Sequence, residues 1–137
     1  MAEDESLPEL FRVVNRRLRH LGLRSLDPWD VTPGQARALG VLLRGGPLRL
    51  SELAERLRIV PRSATEVVDA LQAGGLVERR PDPHDRRAVL VALTERGEEV
   101  GTAVRSARAA EAEQFFGALD EPDRVELARI LRVLAEH

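Results

Sequence analysis

Leu76-Val77-Glu78-Arg79-Arg80-Pro81-Asp82-Pro83-His84-Asp85-Arg86-Arg87-Ala88-Val89-Leu90-Val91-Ala92-Leu93 is the stretch whose reading decides the architecture. Its two ends, Leu76 to Arg80 and Ala88 to Leu93, read as strands, the second as an unbroken apolar run. Between them, Pro81 to Arg87 reads as a charged, turn-rich loop. The segment therefore predicts a hairpin with a polar tip.

Upstream of the hairpin the spacing becomes helical. Leu50 to Leu57 is a short helix with Ser51 as its expected cap. After a break at Arg58 to Pro61 comes a second helix, roughly Arg62 to Ala73, stopped by Gly74-Gly75. Two short helices joined by a tight turn predict a helix-turn-helix. An earlier helix opens at Thr32-Pro33-Gly34-Gln35, where Thr32 caps, Pro33 occupies the first turn and Gln35 reaches back to close a capping box. Its apolar positions are Ala36, Leu39, Val41, Leu42 and Leu43, and Gly45-Gly46-Pro47 ends it.

Both ends of the chain carry amphipathic helices. Leu7, Leu10, Phe11, Val14, Leu18 and Leu21 form one stripe, with Arg12, Arg16, Arg17 and Arg19 opposite. Beyond the hairpin, Thr94 caps a long helix running towards Leu119, with Val100, Ala103, Val104, Ala107 and Ala110 on one side. Asp120-Glu121-Pro122-Asp123 restarts the chain, and Val125, Leu127, Ile130, Leu131 and Leu134 mark a final helix. The expectation is a mainly α winged helix-turn-helix, one domain over residues 1–137. Residues 1–31 and 97–137 would be dimerisation helices, and 32–96 a DNA-binding lobe with its wing at about 76–93. The apolar surface of the end helices exceeds what a small central unit can cover, which points to a two-fold homodimer.

Composition agrees and excludes much else. The chain has 137 residues, 43% hydrophobic and 32% charged, with only 3% aromatic, so its core must be built from Leu, Val and Ala. With no cysteine there is no disulfide, thiolate zinc site, thiol nucleophile or thiol switch. Net charge is −2, but residues 44–96 hold ten Arg against eight acids, +2, and residues 97–137 five Arg against nine acids, −4. No Lys occurs anywhere. Met1 to Glu5 is acidic and unlike a signal peptide, and no apolar run approaches the ~20 residues of a membrane span, so a cytoplasmic location is expected.

The layout has a physical use. The second helix of the pair fits the major groove, where base edges are distinguishable, and the hairpin tip reaches an adjacent minor groove whose negative potential attracts Arg. Arg62, Ser63, Thr65 and Glu66 are the residues available for contact, while Ala64, Val67, Val68 and Leu71 face inward. Glu66 either accepts from a cytosine amino group or pairs with Arg62 one turn back, the second being the plainer expectation. No catalytic site assembles. His20, His84 and His137 lack metal-ligand spacing, no Ser sits in a nucleophile elbow, and both Gly pairs end helices. Neither metal nor cofactor is expected. The rival to nucleic-acid binding is a winged helix used as a protein-interaction module.

The stretch from Gly75 to Gly97 resembles the wing of the MarR (multiple antibiotic resistance regulator) family, above all in Asp85-x-Arg87 followed by five residues and then Leu93-Thr94. Thr32-Pro33-x-Gln35 and Leu50-x-x-Leu53-Ala54 fit the same family's second and third helices. The resemblance implies a homodimeric transcription regulator, usually a repressor, acting on double-stranded DNA at a near-palindromic operator. It implies Arg87 in the minor groove, Asp85 positioning it and Arg86 on a phosphate. It also implies release by a small phenolic or aromatic ligand, for which Arg16, His20 and Trp29 are the candidates here, although the plainer expectation is a hydrophobic plug beneath the first helix for Trp29 and a solvated helix face for Arg16 and His20.

Overall fold

The computed structural model describes residues 5–137, so the acidic start, residues 1–4, lies outside the described residues. Helix α1 (Leu7–Arg24) is followed by a 3₁₀ turn (Asp27–Trp29), α2 (Pro33–Gly45), β1 (Leu48–Arg49), α3 (Leu50–Leu57) and α4 (Pro61–Ala73). Strands β2 (Val77–Asp82) and β3 (Asp85–Leu93) come next, then α5 (Glu95–Phe116) and α6 (Glu121–Ala135). The chain divides into two compact units: Leu23–Ala107, and the residues up to Gly22 together with Arg108–His137.

The larger unit holds the core. Leu39, Leu53, Val68, Leu71, Val77 and Val91 are its largest fully buried side chains, contributed by α2, α3, α4 and the sheet. The sheet is antiparallel with strand order β1-β3-β2, Val77 lying opposite Leu93 and Leu48 opposite Val91. A two-stranded hairpin was expected. The third strand is only Leu48–Arg49, too short to leave a period-2 signature.

Local chemistry explains most boundaries. At α2 the capping box forms as the sequence predicts: Gln35 N–H donates to Thr32 Oγ1 and Thr32 N–H to Gln35 Oε1, both at 3.1 Å. Thr32→Ala leaves the Gln35 N–H without that acceptor and is expected to cost about 1 kcal/mol, read as a lower urea midpoint at unchanged slope. At α3 the expectation is corrected. Ser51 lies inside the helix, and Arg49 occupies the cap, its N–H donating to Glu52 Oε1 at 3.0 Å. Arg49 has no side-chain acceptor to cap with, so the end is satisfied by the Glu52 half of the box. Helix α4 starts one residue early, at Pro61, whose missing N–H costs nothing at a first helical position. Between α3 and α4, Arg58 takes a left-handed conformation at φ 56°, and the Arg37 guanidinium bonds the Leu57 carbonyl at 2.7 Å.

The smaller unit is helical. Phe115 and Phe116 pack edge to face with centroids 5.2 Å apart, and the Arg17 guanidinium lies 5.8 Å from the Phe115 centroid. Arg124 bridges to Glu113 at 2.8 Å beside a groove of about 470 Å³ lined by Phe116, Leu119, Leu127 and Leu131 among others. Neither α1 nor α6 buries a single side chain fully.

Candidate nucleic-acid interface

Helix α4 presents the expected faces. Ala64, Val68 and Leu71 are buried and Val67 half-buried, while Arg62 and Glu66 stand in solvent. Arg62 is 91% exposed and reaches Glu66 only loosely, Nε to Oε1 3.9 Å, the i, i+4 pair anticipated from sequence. So exposed a pair is worth a few tenths of a kcal/mol and leaves the guanidinium available. Ser63 and Thr65 are half-buried. The Thr65 hydroxyl donates to the Pro61 carbonyl at 3.0 Å, which leaves its oxygen lone pairs and methyl group for a partner.

The hairpin tip differs from the loop that the sequence suggests. The strands run on through Pro81-Asp82 and Asp85-Arg86-Arg87 to a two-residue connection, Pro83-His84, with a register shift between Pro81 and Asp82. Pro83 and His84 do not have positive φ, so the primed turns that favour tight hairpins are not used. Two Asp side chains shape the tip instead. Asp82 Oδ1 accepts from His84 N–H at 2.9 Å, and Asp85 Oδ1 accepts from Arg87 N–H at 3.0 Å. Both are Asx turns, in which a carboxylate stands in for a backbone acceptor two residues back. Asp85 therefore contacts Arg87 through its backbone N–H, not through its guanidinium.

Beyond Leu90 the hairpin leaves the core. Val89 is 50% exposed, and Arg86 and Arg87 are exposed. The apolar run Ala88 to Leu93 is thus buried only at Val91 and Ala92, because the outer half of β3 projects past the helices that cover its inner half. Closer in, Arg79 bonds Asp69 at 2.7 Å and also Gln72, fastening the hairpin base to α4. Arg80 pairs with Glu78 at 2.7 Å. The acids Glu66 and Asp69 on α4 are thereby each matched by an Arg.

Two residues at the site went unread in the sequence. Asp82 is only 8% exposed, and Arg49 reaches it with Nη2 at 2.9 Å and Nε at 3.2 Å. The His84 N–H first, and then the Arg49 guanidinium, hold the Asp82 carboxyl below its ordinary range against the opposing cost of burial. The signal that would have found Asp82 is the repeat Asp82-x-x-Asp85, two Asx-turn formers in succession. Of the expected ligand residues, Arg16 and His20 sit exposed one turn apart on α1. Trp29 is in the other unit, half-buried against its hydrophobic core. Among the described residues no cluster of His, Asp or Glu has the makings of a metal site, and no helix is long and apolar enough to cross a membrane.

Comparison with known proteins points one way. A family model described as MarR family matches residues 29–88. The HTH-type transcriptional repressor MdtR of Bacillus subtilis is 30% identical over 131 residues, spanning 96% of this chain and 82% of that protein. A MarR family protein from Bacillus stearothermophilus superposes with a TM-score of 0.83 at 29% identity, over 95% of this chain and 91% of its own. The apo form of wild-type MarR from E. coli gives a TM-score of 0.80 at 26% identity, over 96% and 98%.

Proposed function

The chain belongs to the MarR family and is a helix-turn-helix, DNA-binding transcription regulator, and from that premise we propose that it acts as a homodimeric repressor on a near-palindromic operator. Helix α4 enters the major groove with Arg62, Ser63, Thr65 and Glu66, and the wing tip enters the adjacent minor groove with Arg87, Arg86 lying on a phosphate. One observation carries this reading. Arg49, Arg79 and Arg80 are each held in ion pairs shorter than 3 Å, at 2.9, 2.7 and 2.7 Å. Arg86 and Arg87 form none among the described residues and stand exposed at the tip that the two Asx turns shape. A narrow minor groove rewards such an inserted Arg.

Fluorescence anisotropy against duplexes tiling the DNA upstream of its own gene tests this. Arg87→Ala is expected to weaken specific binding by about 1–3 kcal/mol, roughly 5- to 150-fold. Equal affinity of variant and wild type for the operator would remove the wing from the interface. Binding should also fall steeply with salt through counterion release. A response indifferent to salt would instead favour the protein-interaction use of the same fold. The reading extends to release by a small aromatic or phenolic acid whose carboxylate meets Arg16 and His20. Adding such acids to the preformed complex, with an Arg16→Ala control, shows whether release depends on that residue.

A further inference from the structure

We propose that Arg49 is the positioning residue of the wing: fixed at the start of α3, its guanidinium clamps both strands at the tip and so sets where Arg87 stands relative to α4. This rests on the reading that the wing tip meets DNA.

Arg49 belongs to two elements at once. It ends β1, paired with Leu90 of β3, and it caps α3 through its N–H on Glu52. Its backbone is thus held on the helix-turn-helix side. Its guanidinium reaches across to the last residue of β2 and the first of β3, with Nη2 2.9 Å from Asp82 Oδ2 and 3.8 Å from Asp85 Oδ2. Each carboxylate divides its oxygens in the same way. Oδ1 of Asp82 and Oδ1 of Asp85 accept the turn N–H groups of His84 and Arg87, while both Oδ2 atoms face Arg49. The atoms that shape the tip and the atoms that anchor it belong to the same two side chains.

The tip needs such an anchor. Packing does not hold it, since Val89, Arg86 and Arg87 lie outside the core. The Arg79 tie to Asp69 and Gln72 holds only the base of the hairpin, three residues before Asp82. Between base and tip lies the register shift at Pro81/Asp82, a place for the outer hairpin to swing. An untethered tip would have to be ordered on each binding event, and that ordering is lost affinity.

Asp82→Asn separates this role from the alternative, a direct Arg49 contact with phosphate. Asparagine keeps an oxygen for the His84 N–H but gives up the charged partner of Arg49. It also removes a negative charge from the DNA side, which by long-range electrostatics alone should tighten binding. The clamp predicts the opposite: operator affinity falls about tenfold. In that background the penalty of Arg87→Ala shrinks towards unity, because Arg87 is no longer placed, and hydroxyl-radical protection of the minor groove is lost while guanine N7 protection in the major groove stays. Arg49→Lys, keeping the charge but not the two donors on Asp82, should behave like Asp82→Asn. The clamp is overturned if Asp82→Asn binds as well as wild type, or if Arg87→Ala costs the same in both backgrounds. It is equally overturned if Arg49→Lys retains full affinity, as a phosphate contact would. A costless Arg87→Ala in the wild-type background is a different pattern: it overturns the wing reading and the clamp with it.

Discussion

Gly97→Ala is expected to lower the stability of the larger unit by about 2 kcal/mol, while the same change one turn later, at Gly101, stays close to neutral. Both glycines lie on the buried face of α5, with Val100 and Val104. Helix propensity favours alanine at either position by up to about 1 kcal/mol, so the sign is decided by what the new Cβ meets. At Gly97 it meets the backbone of Leu76: the carbonyl carbon at 2.9 Å and the oxygen closer still. That carbonyl already accepts from Thr94 N–H at 3.1 Å, while Thr94 Oγ1 donates to the Gly75 carbonyl at 2.6 Å and accepts from Gly97 N–H at 3.0 Å. A backbone pinned by this junction cannot withdraw without breaking hydrogen bonds worth ~1 kcal/mol each, on top of overpacking worth about 1–3 kcal/mol. At Gly101 the nearest atom is Leu43 Cδ1, at 2.9 Å, the end of a half-buried side chain that can turn aside. Urea unfolding of the two variants checks this. Equal midpoints would mean that the junction between β2 and α5 yields at no cost.

That junction also shows where sequence reasoning stops. Thr94 was legible as a cap, because capping is a local matter of one side chain and the next turn. Gly97 was not singled out, since what forbids a side chain there is Leu76, 21 positions earlier. The same division runs through the candidate site. Thr32 and Gln35, the Arg62–Glu66 pair and the inward set Ala64, Val67, Val68 and Leu71 follow from local spacing, and they are found, Val67 being only half-buried. Arg49 and Asp82 are 33 residues apart and meet only because a two-residue strand pairs with β3. Ser51 was misread for a related reason. Its residue type suits a cap, but pairing of Leu48–Arg49 with β3 moves the helix start forward to Leu50, so that Arg49 stands at the cap.

Ile130→Glu combined with Leu134→Glu is expected to leave a folded monomer whose operator affinity is at least ~100-fold lower, the largest loss foreseen for any change outside the interface itself. The smaller unit exposes Leu7, Leu10, Phe11, Val13 and Val14 on α1, and Val125, Ile130, Leu131, Val133 and Leu134 on α6. The larger unit, with more residues, exposes only Leu23, Val60 and Val89 among its large apolar side chains. Scattered apolar residues are ordinary on a surface, but ten on two helices are what a partner covers. Each stabilises by about 1.5–3 kcal/mol when fully buried. Charge favours a second copy as that partner: α1 carries five Arg and a single acid, whereas residues 108–137 carry seven acids and four Arg. Each protomer thus offers both halves of a complementary pair, as a two-fold interface requires. Ile130 and Leu134 are 42% and 61% exposed within one protomer, so glutamate there can keep its carboxylate in water in the free protomer, whereas the assembly would have to bury both charges without partners. Sedimentation equilibrium distinguishes one chain from two, and circular dichroism shows whether the helices persist. The affinity consequence follows from geometry. The proposed dimer would present two α4 helices to half-sites about one helical turn apart, so that binding the first makes the second effectively intramolecular. A wild-type chain that sediments as a monomer at micromolar concentration would refute the dimer, and a monomeric variant retaining full operator affinity would refute the two-half-site reading that depends on it.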